Sequence, residues 1–178
     1  MHILIMSVNH QIQPARIKSM SIDGSVEAFE RSQKESFGQM LQTKVRERCI
    51  RFIGEEARHG EETVAQKVCE LDNCHYANID MTPAERKHRI IPPGYADEGS
   101  NLSEAEINRC HREREEYMCT TAVAEAGGAE NILIICGRVH ADAMAARLGQ
   151  LGHNVESMDL RDQSWYIENW AEHCMLNL

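Results

Sequence analysis

NILIICGRVHADAMAARLGQLGHNV, residues 131–155, is the stretch whose reading decides the fold. Ile132 to Cys136 is a continuous apolar run rich in β-branched residues, the pattern of a strand covered on both faces within a parallel sheet. Gly137 reads as a source of backbone freedom for a tight exit, and Ala141 to Leu151 as a helix of strong helix formers with apolar positions at helical spacing. His140 is thereby expected at the carboxyl end of a central strand. In open α/β sheets ligands bind at that edge, where the loops leaving neighbouring strands converge.

Outward from this unit, Ile3 to Val8, Ile50 to Gly54, Tyr76 to Ile79 and Asn154 to Asp159 read as further strands. Between them, Ser25 to Cys49 suggests an amphipathic helix broken near Gly38, and Glu61 to Leu71 a helix with Val64, Val68 and Leu71 along one face. Thr82-Pro83-Ala84-Glu85 and Ser103-Glu104-Ala105-Glu106 are capping boxes. The second opens a long charged helix that Gly127-Gly128 stops, and Gln163 to Met175 is expected to close the chain as a helix. Strand and helix alternate throughout. This predicts a single domain over residues 1–178 with a three-layer α/β fold: a mostly parallel central sheet of about five strands with helices on both faces.

Length and composition are those of an ordinary globular chain: 178 residues, 42% hydrophobic and 26% charged. The net charge of −9, with no stripe of Lys and Arg, argues against double-stranded nucleic acid as partner. No apolar run reaches membrane-spanning length, and the opening MHILIM has no basic region, so no membrane association and a cytoplasmic location are expected. Seven cysteines without disulfide-like spacing read as reduced thiols. Cys136 lies inside an apolar strand and should be inert, while Cys69, Cys74 and His75 lack the second pair that a zinc knuckle needs. The serine-hydrolase elbow GxSxG and the nucleotide motifs GxGxxG and GxxxxGK[ST] are absent.

Parallel strands finish on one edge, so His10, Glu55 or Glu56, Asp80 and His140 are candidates to meet there. Two imidazoles with carboxylates are a competent set for a divalent cation such as manganese, cobalt or zinc, and a metal ion can make a hydroxide nucleophile of its bound water. A carboxylate left free, Glu55 or Glu56, can serve as general base, and Arg114 in the long helix can stabilise an oxyanion or grip an anionic group. Each residue also has a structural reading. A histidine at a strand end is commonly hydrogen-bonded scaffold, and Glu55-Glu56 can be a solvated helix start. Asp80 can cap the turn before Thr82-Pro83, and Arg112 to Glu116 can be a charged helix face.

On these residues the chain resembles the TraB/Tiki/GumN group and the wider clan of erythromycin-esterase-like and ChaN-like proteins. That pattern has a GxxH after the first strand, an acid after the second, an Arg in a later helix and a second GxxH. Here the second motif is Gly137-Arg138-Val139-His140, the acid falls at Glu55 or Glu56, and Arg114 matches the helical Arg. The first motif has Ser7 for its glycine, giving Ser7-Val8-Asn9-His10. The resemblance implies a metal-dependent hydrolase of a peptide, ester or amide-like bond in a small-molecule or peptide substrate. Its metal ligands would be His10, Glu56, Asp80 and His140, with Glu55, Glu56 and Arg114 in catalysis. The alternatives are a non-catalytic module for a small ligand, nucleotide or haem, and a protein that joins copies of itself into a homo-oligomer.

Overall fold

The computed structural model describes residues 1–18, 24–97 and 100–168. In chain order the elements are β1 (His2–Val8), α1 (Ser25–Glu47), β2 (Phe52–Glu55), α2 (Val64–Asp72), β3 (His75–Asn78), α3 (Pro83–His88), α4 (Glu104–Glu125), β4 (Asn131–Gly137), α5 (Arg138–Gln150) and β5 (Asn154–Asp159). The pairings between the named strands are parallel, and the five-stranded sheet has the order β3-β2-β4-β1-β5. Alternate side chains of β1 feed opposite layers. Leu4, Met6 and Val8 meet Phe37 and Leu41 of α1 and Val68 of α2, whereas Ile3 and Ile5 meet Met118 and Ala122 of α4 and Met144 and Leu148 of α5. The continuous apolar run of β4 is explained by the same geometry: Leu133 and Ile135 face one layer, Ile132 and Ile134 the other.

The connections leaving β2 and β4 set the position of the site. From β2 the chain moves outward to β3, and from β4 it moves the other way, past β1, to β5. A crevice therefore opens between the carboxyl ends of these two neighbouring strands, at the topological switch point. Glu56 leaves β2 there, and Gly137 ends β4 opposite it.

Several local expectations are corrected. Helix α1 runs unbroken for 23 residues through Gly38, where an added Cβ would lie 3.4 Å from Val64 Cγ1; the glycine lets α2 approach rather than breaking the helix. Leu71 is 73% exposed and does not share the buried face of Val64 and Val68. Helix α2 starts only at Val64, behind the N-cap Thr63, whose hydroxyl accepts from Gln66 N–H. Both capping boxes form. Residues 163–168 of the expected closing helix are not helical, and the rest of it lies outside the described residues. Among the described residues no helix is long and apolar enough to cross a membrane.

Candidate functional site

Helix α5 begins directly after Gly137, so His140 occupies its first turn rather than the end of the strand. Gly137 has φ −61 and ψ 146, an ordinary extended conformation. Space, not backbone freedom, explains the glycine: an added Cβ would lie 2.7 Å from His10 Nε2 and 3.4 Å from Glu56 Oε2. That close approach allows Gly137 N–H to donate to Glu56 Oε2 at 2.8 Å, placing a carboxylate at the positive end of α5.

Glu56 is the centre of the crevice. Its Oε1 accepts from Arg114 Nη2 at 2.7 Å and lies 3.6 Å from His140 Nε2 and 3.8 Å from His10 Nε2. Burial alone would raise the Glu56 carboxyl, but His140, His10, Arg114 and the Gly137 N–H together hold it below the usual range. Arg114 Nε and Nη2 also donate to Asp80 at 3.2 and 3.0 Å, and Arg86 donates to Asp80 as well. Burial would lower the Arg114 guanidinium, but Glu56 and Asp80 raise it. Five expected residues, His10, Glu56, Asp80, Arg114 and His140, thus meet at one edge.

Glu55 does not join them. One residue earlier on the same strand, it points into the opposite layer, where Oε1 accepts from Gln13 Nε2 at 3.0 Å and Oε2 accepts from Thr63 at 2.6 Å and Tyr76 at 2.9 Å. Burial pushes its carboxyl up to about 7 against the lowering effect of these three donors.

Gln13, absent from the sequence reading, decides the state of His10. Its amide nitrogen donates to Glu55 Oε1 and to the Glu56 carbonyl, so its oxygen must accept from His10 Nδ1, 2.6 Å away. A neutral His10 then carries its lone pair on Nε2, facing Glu56. The second histidine is set by the same logic: His140 Nδ1 donates to Glu115 Oε1 at 3.0 Å, which leaves Nε2 beside Arg114 Nη1 at 3.4 Å.

Glu115 and His111 are the further residues that sequence reasoning missed. Among the described residues, the group whose possible ligand atoms all lie within 4.8 Å of one another is His111, Glu115 and His140. His111 and Glu115 are one turn apart on α4 and share a face. The Tyr95 hydroxyl sits 3.0 Å from His111 Nδ1, and burial, then His140, lower the His111 pKa and favour its neutral, ligating form. The signal was present in the helical pattern, because Cys110, Met118, Cys119 and Ala122 put Arg114 and Glu115 on the buried stripe of α4.

No family model matches the chain, and no curated protein or solved structure matches it either. What the site can do therefore follows from its own residues.

Proposed function

We propose that the protein is a hydrolase that cleaves an ester, amide or peptide bond in the crevice between β2 and β4, with a divalent cation as cofactor. The observation that carries this reading is the convergence of an exposed imidazole at His10, held through Nδ1 by Gln13, an ionised buried carboxylate at Glu56 and a fixed guanidinium at Arg114. The His10 side chain is 56% exposed, so a substrate can reach it.

In this reading His10 Nε2 takes a proton from the attacking water and returns it to the leaving group. Glu56, 3.8 Å away, stabilises the imidazolium formed in between. It is a weak base itself, because Gly137 and Arg114 occupy its oxygens. The Arg114 guanidinium is the positive charge beside which the tetrahedral oxyanion develops. Gln13 orients His10, and Glu55 orients Gln13.

For the cation, the donor sets differ in fit. Asp80 already spends its oxygens on Arg86, Arg114 and Met81 N–H, so the set His10, Glu56, Asp80 and His140 holds a guanidinium where a metal would sit. His111, Glu115 and His140 fit better: two imidazoles and a carboxylate are a known catalytic zinc ligand set, no Arg or Lys pairs with Glu115 among the described residues, and His140 would ligate by giving up its hydrogen bond to Glu115. Manganese, cobalt or zinc bound there would supply Lewis acidity to the site. A cytoplasmic compartment suits the free thiols.

Two measurements test the reading. Manganese, cobalt or zinc, one at a time, at a hundredfold excess over its dissociation constant should stabilise the protein by about 2.7 kcal/mol, an increment that His111→Ala removes. No thermal shift with any of the three overturns the cation. With p-nitrophenyl butyrate and octanoate, hydrolysis should fall on the order of 10²-fold in His10→Asn. Absence of hydrolysis above buffer, with or without the cations, overturns the hydrolase and leaves a small-ligand binding module.

Gly137→Ala separates activity from stability. The backbone there accepts alanine, and the new Cβ meets the far end of an exposed side chain, so thermal unfolding should stay within about 1 kcal/mol of the parent. The same Cβ displaces His10 from Glu56, so p-nitrophenyl ester hydrolysis should fall as far as in His10→Asn. Full activity in Gly137→Ala removes His10 from the mechanism.

A further inference from the structure

Beside the crevice lies a cavity of about 700 Å³, a volume that suits a small organic ligand. Asp80 and Ala57 belong to its wall, so it adjoins the residues already described. A smaller cavity of about 190 Å³ runs past His10 and shares Ala57 and Arg58 with it. Ala57 and Arg58 thus stand between the larger cavity and the one that His10 lines.

Its lining is of two kinds. Met81, Ile90, Ile91, Pro92 and Pro93 form an apolar wall. Ile90 is held at φ 56, a left-handed conformation unusual for a β-branched residue, and is 77% exposed. The turn after α3 holds it there through Ile90 N–H to Lys87 and Arg109 Nη2 to the Ile90 carbonyl. A large apolar side chain is thus presented to solvent beside other apolar residues, although the backbone conformation would suit a glycine.

The lining also carries three cationic side chains, in a chain of net charge −9. Arg58, Arg86 and Lys87 stand around the cavity, with Asp80 as its single carboxylate among the described residues. Asp80 is already neutralised by Arg114 and Arg86. Arg58 and Lys87 make no ion pair with any described carboxylate, and Arg86 Nε is buried without a hydrogen-bond partner among the described residues. Unpaired positive charge beside an apolar wall selects an amphipathic anion.

We propose that this cavity binds an elongated apolar carboxylate, its chain against Ile90, Ile91 and the two prolines and its head at Arg58 and Lys87. If the hydrolase reading above holds, the substrate class is an acyl compound that carries a carboxylate, with the bond to be cleaved placed toward His10 by the shared Ala57–Arg58 wall. The binding site itself stands without that reading.

The probe is dodecanoate, titrated calorimetrically into the whole chain below its micellar concentration. Dodecanoate should bind, whereas acetate, which has only the head, and dodecyltrimethylammonium, which reverses the charge, should bind at least about tenfold more weakly. Arg58→Glu with Lys87→Glu, both on exposed side chains, should weaken dodecanoate about a hundredfold, and Arg58→Lys with Lys87→Arg should retain it. Ile90→Gly should weaken binding about tenfold while the melting temperature stays level or rises, which a purely structural role for Ile90 would not produce. Equal binding of dodecanoate and dodecyltrimethylammonium overturns the proposal, and so does unchanged affinity in the double Glu variant. If dodecanoate fails to bind while p-nitrophenyl esters are cleaved, this proposal falls and the hydrolase stands. Binding of dodecanoate without cleavage of any ester supports the cavity and overturns the hydrolase alone.

Discussion

Arg114→Met should lower the stability of the protein by about 3–5 kcal/mol, the largest loss expected from any single change at the site. At this chain length that is a fall in melting temperature of roughly 6–20 °C. The methionine keeps most of the side-chain volume and removes the charge. Glu56 is then left in a crevice where its side chain is 4% exposed, with Gly137 N–H and the more distant histidines as its remaining partners. Asp80 suffers less, because Arg86 still donates to it. A buried carboxylate stripped of its guanidinium costs the full desolvation of that charge, whereas removing both partners costs much less. The double variant Arg114→Met with Glu56→Gln should therefore be more stable than Arg114→Met alone, and this reversal is readable in a urea titration at pH 7. A double variant as unstable as the sum of its parts would mean that Arg114 and Glu56 are not coupled.

Glu55→Gln should stabilise the protein, by an amount that depends on pH. The Glu55 carboxyl is raised in the folded state from 4.5 to about 7, chiefly by burial. The folded protein thus holds this proton more tightly than the unfolded chain does. Below pH 4.5 both states are protonated and the residue costs nothing. As pH rises from there toward 7, the unfolded chain releases its proton first, and folding stability is progressively lost; above pH 7 the loss is complete at roughly 3 kcal/mol. Glutamine cannot ionise, and its amide can keep the network: the oxygen accepts from Gln13 while the NH₂ donates to the Thr63 and Tyr76 hydroxyls, which can turn to accept. The stability gap between Glu55→Gln and the parent should be near zero at pH 4.5 and largest at pH 8. A gap that is constant across this range would show that Glu55 titrates normally.

Much of this architecture was legible in the chain itself. The strand Ile132–Cys136 is apolar without alternation because both its faces are covered, and the two capping boxes mark the starts of α3 and α4 through purely local hydrogen bonds. The convergence of His10, Glu56, Asp80 and His140 also follows from topology, since parallel strands deliver their carboxyl ends to one edge. Other features had local signals that pointed elsewhere. Gly38 looked like a helix break and is a contact point between helices, and Gly137 looked like backbone freedom for a tight exit and is a gap for His10.

What the sequence determined by itself is the fold class, through hydrophobic periodicity and caps that act over a few residues, together with the edge where chemistry-bearing residues gather. The tertiary structure alone decided the division of labour at that edge. Glu55 and Glu56 are adjacent and identical in type, yet the pleat sends one to Thr63, Tyr76 and Gln13 and the other to Arg114, and their carboxyls shift in opposite directions. The imidazole states of His10 and His140 depend on Gln13 and Glu115, and the cation-competent group draws His111 from a helix far along the chain. Apart from the local His10–Gln13 contact, these outcomes rest on residues distant in sequence brought within a few ångströms, and burial and hydrogen bonding at that range set the opposite shifts of Glu55 and Glu56, which no local pattern encodes.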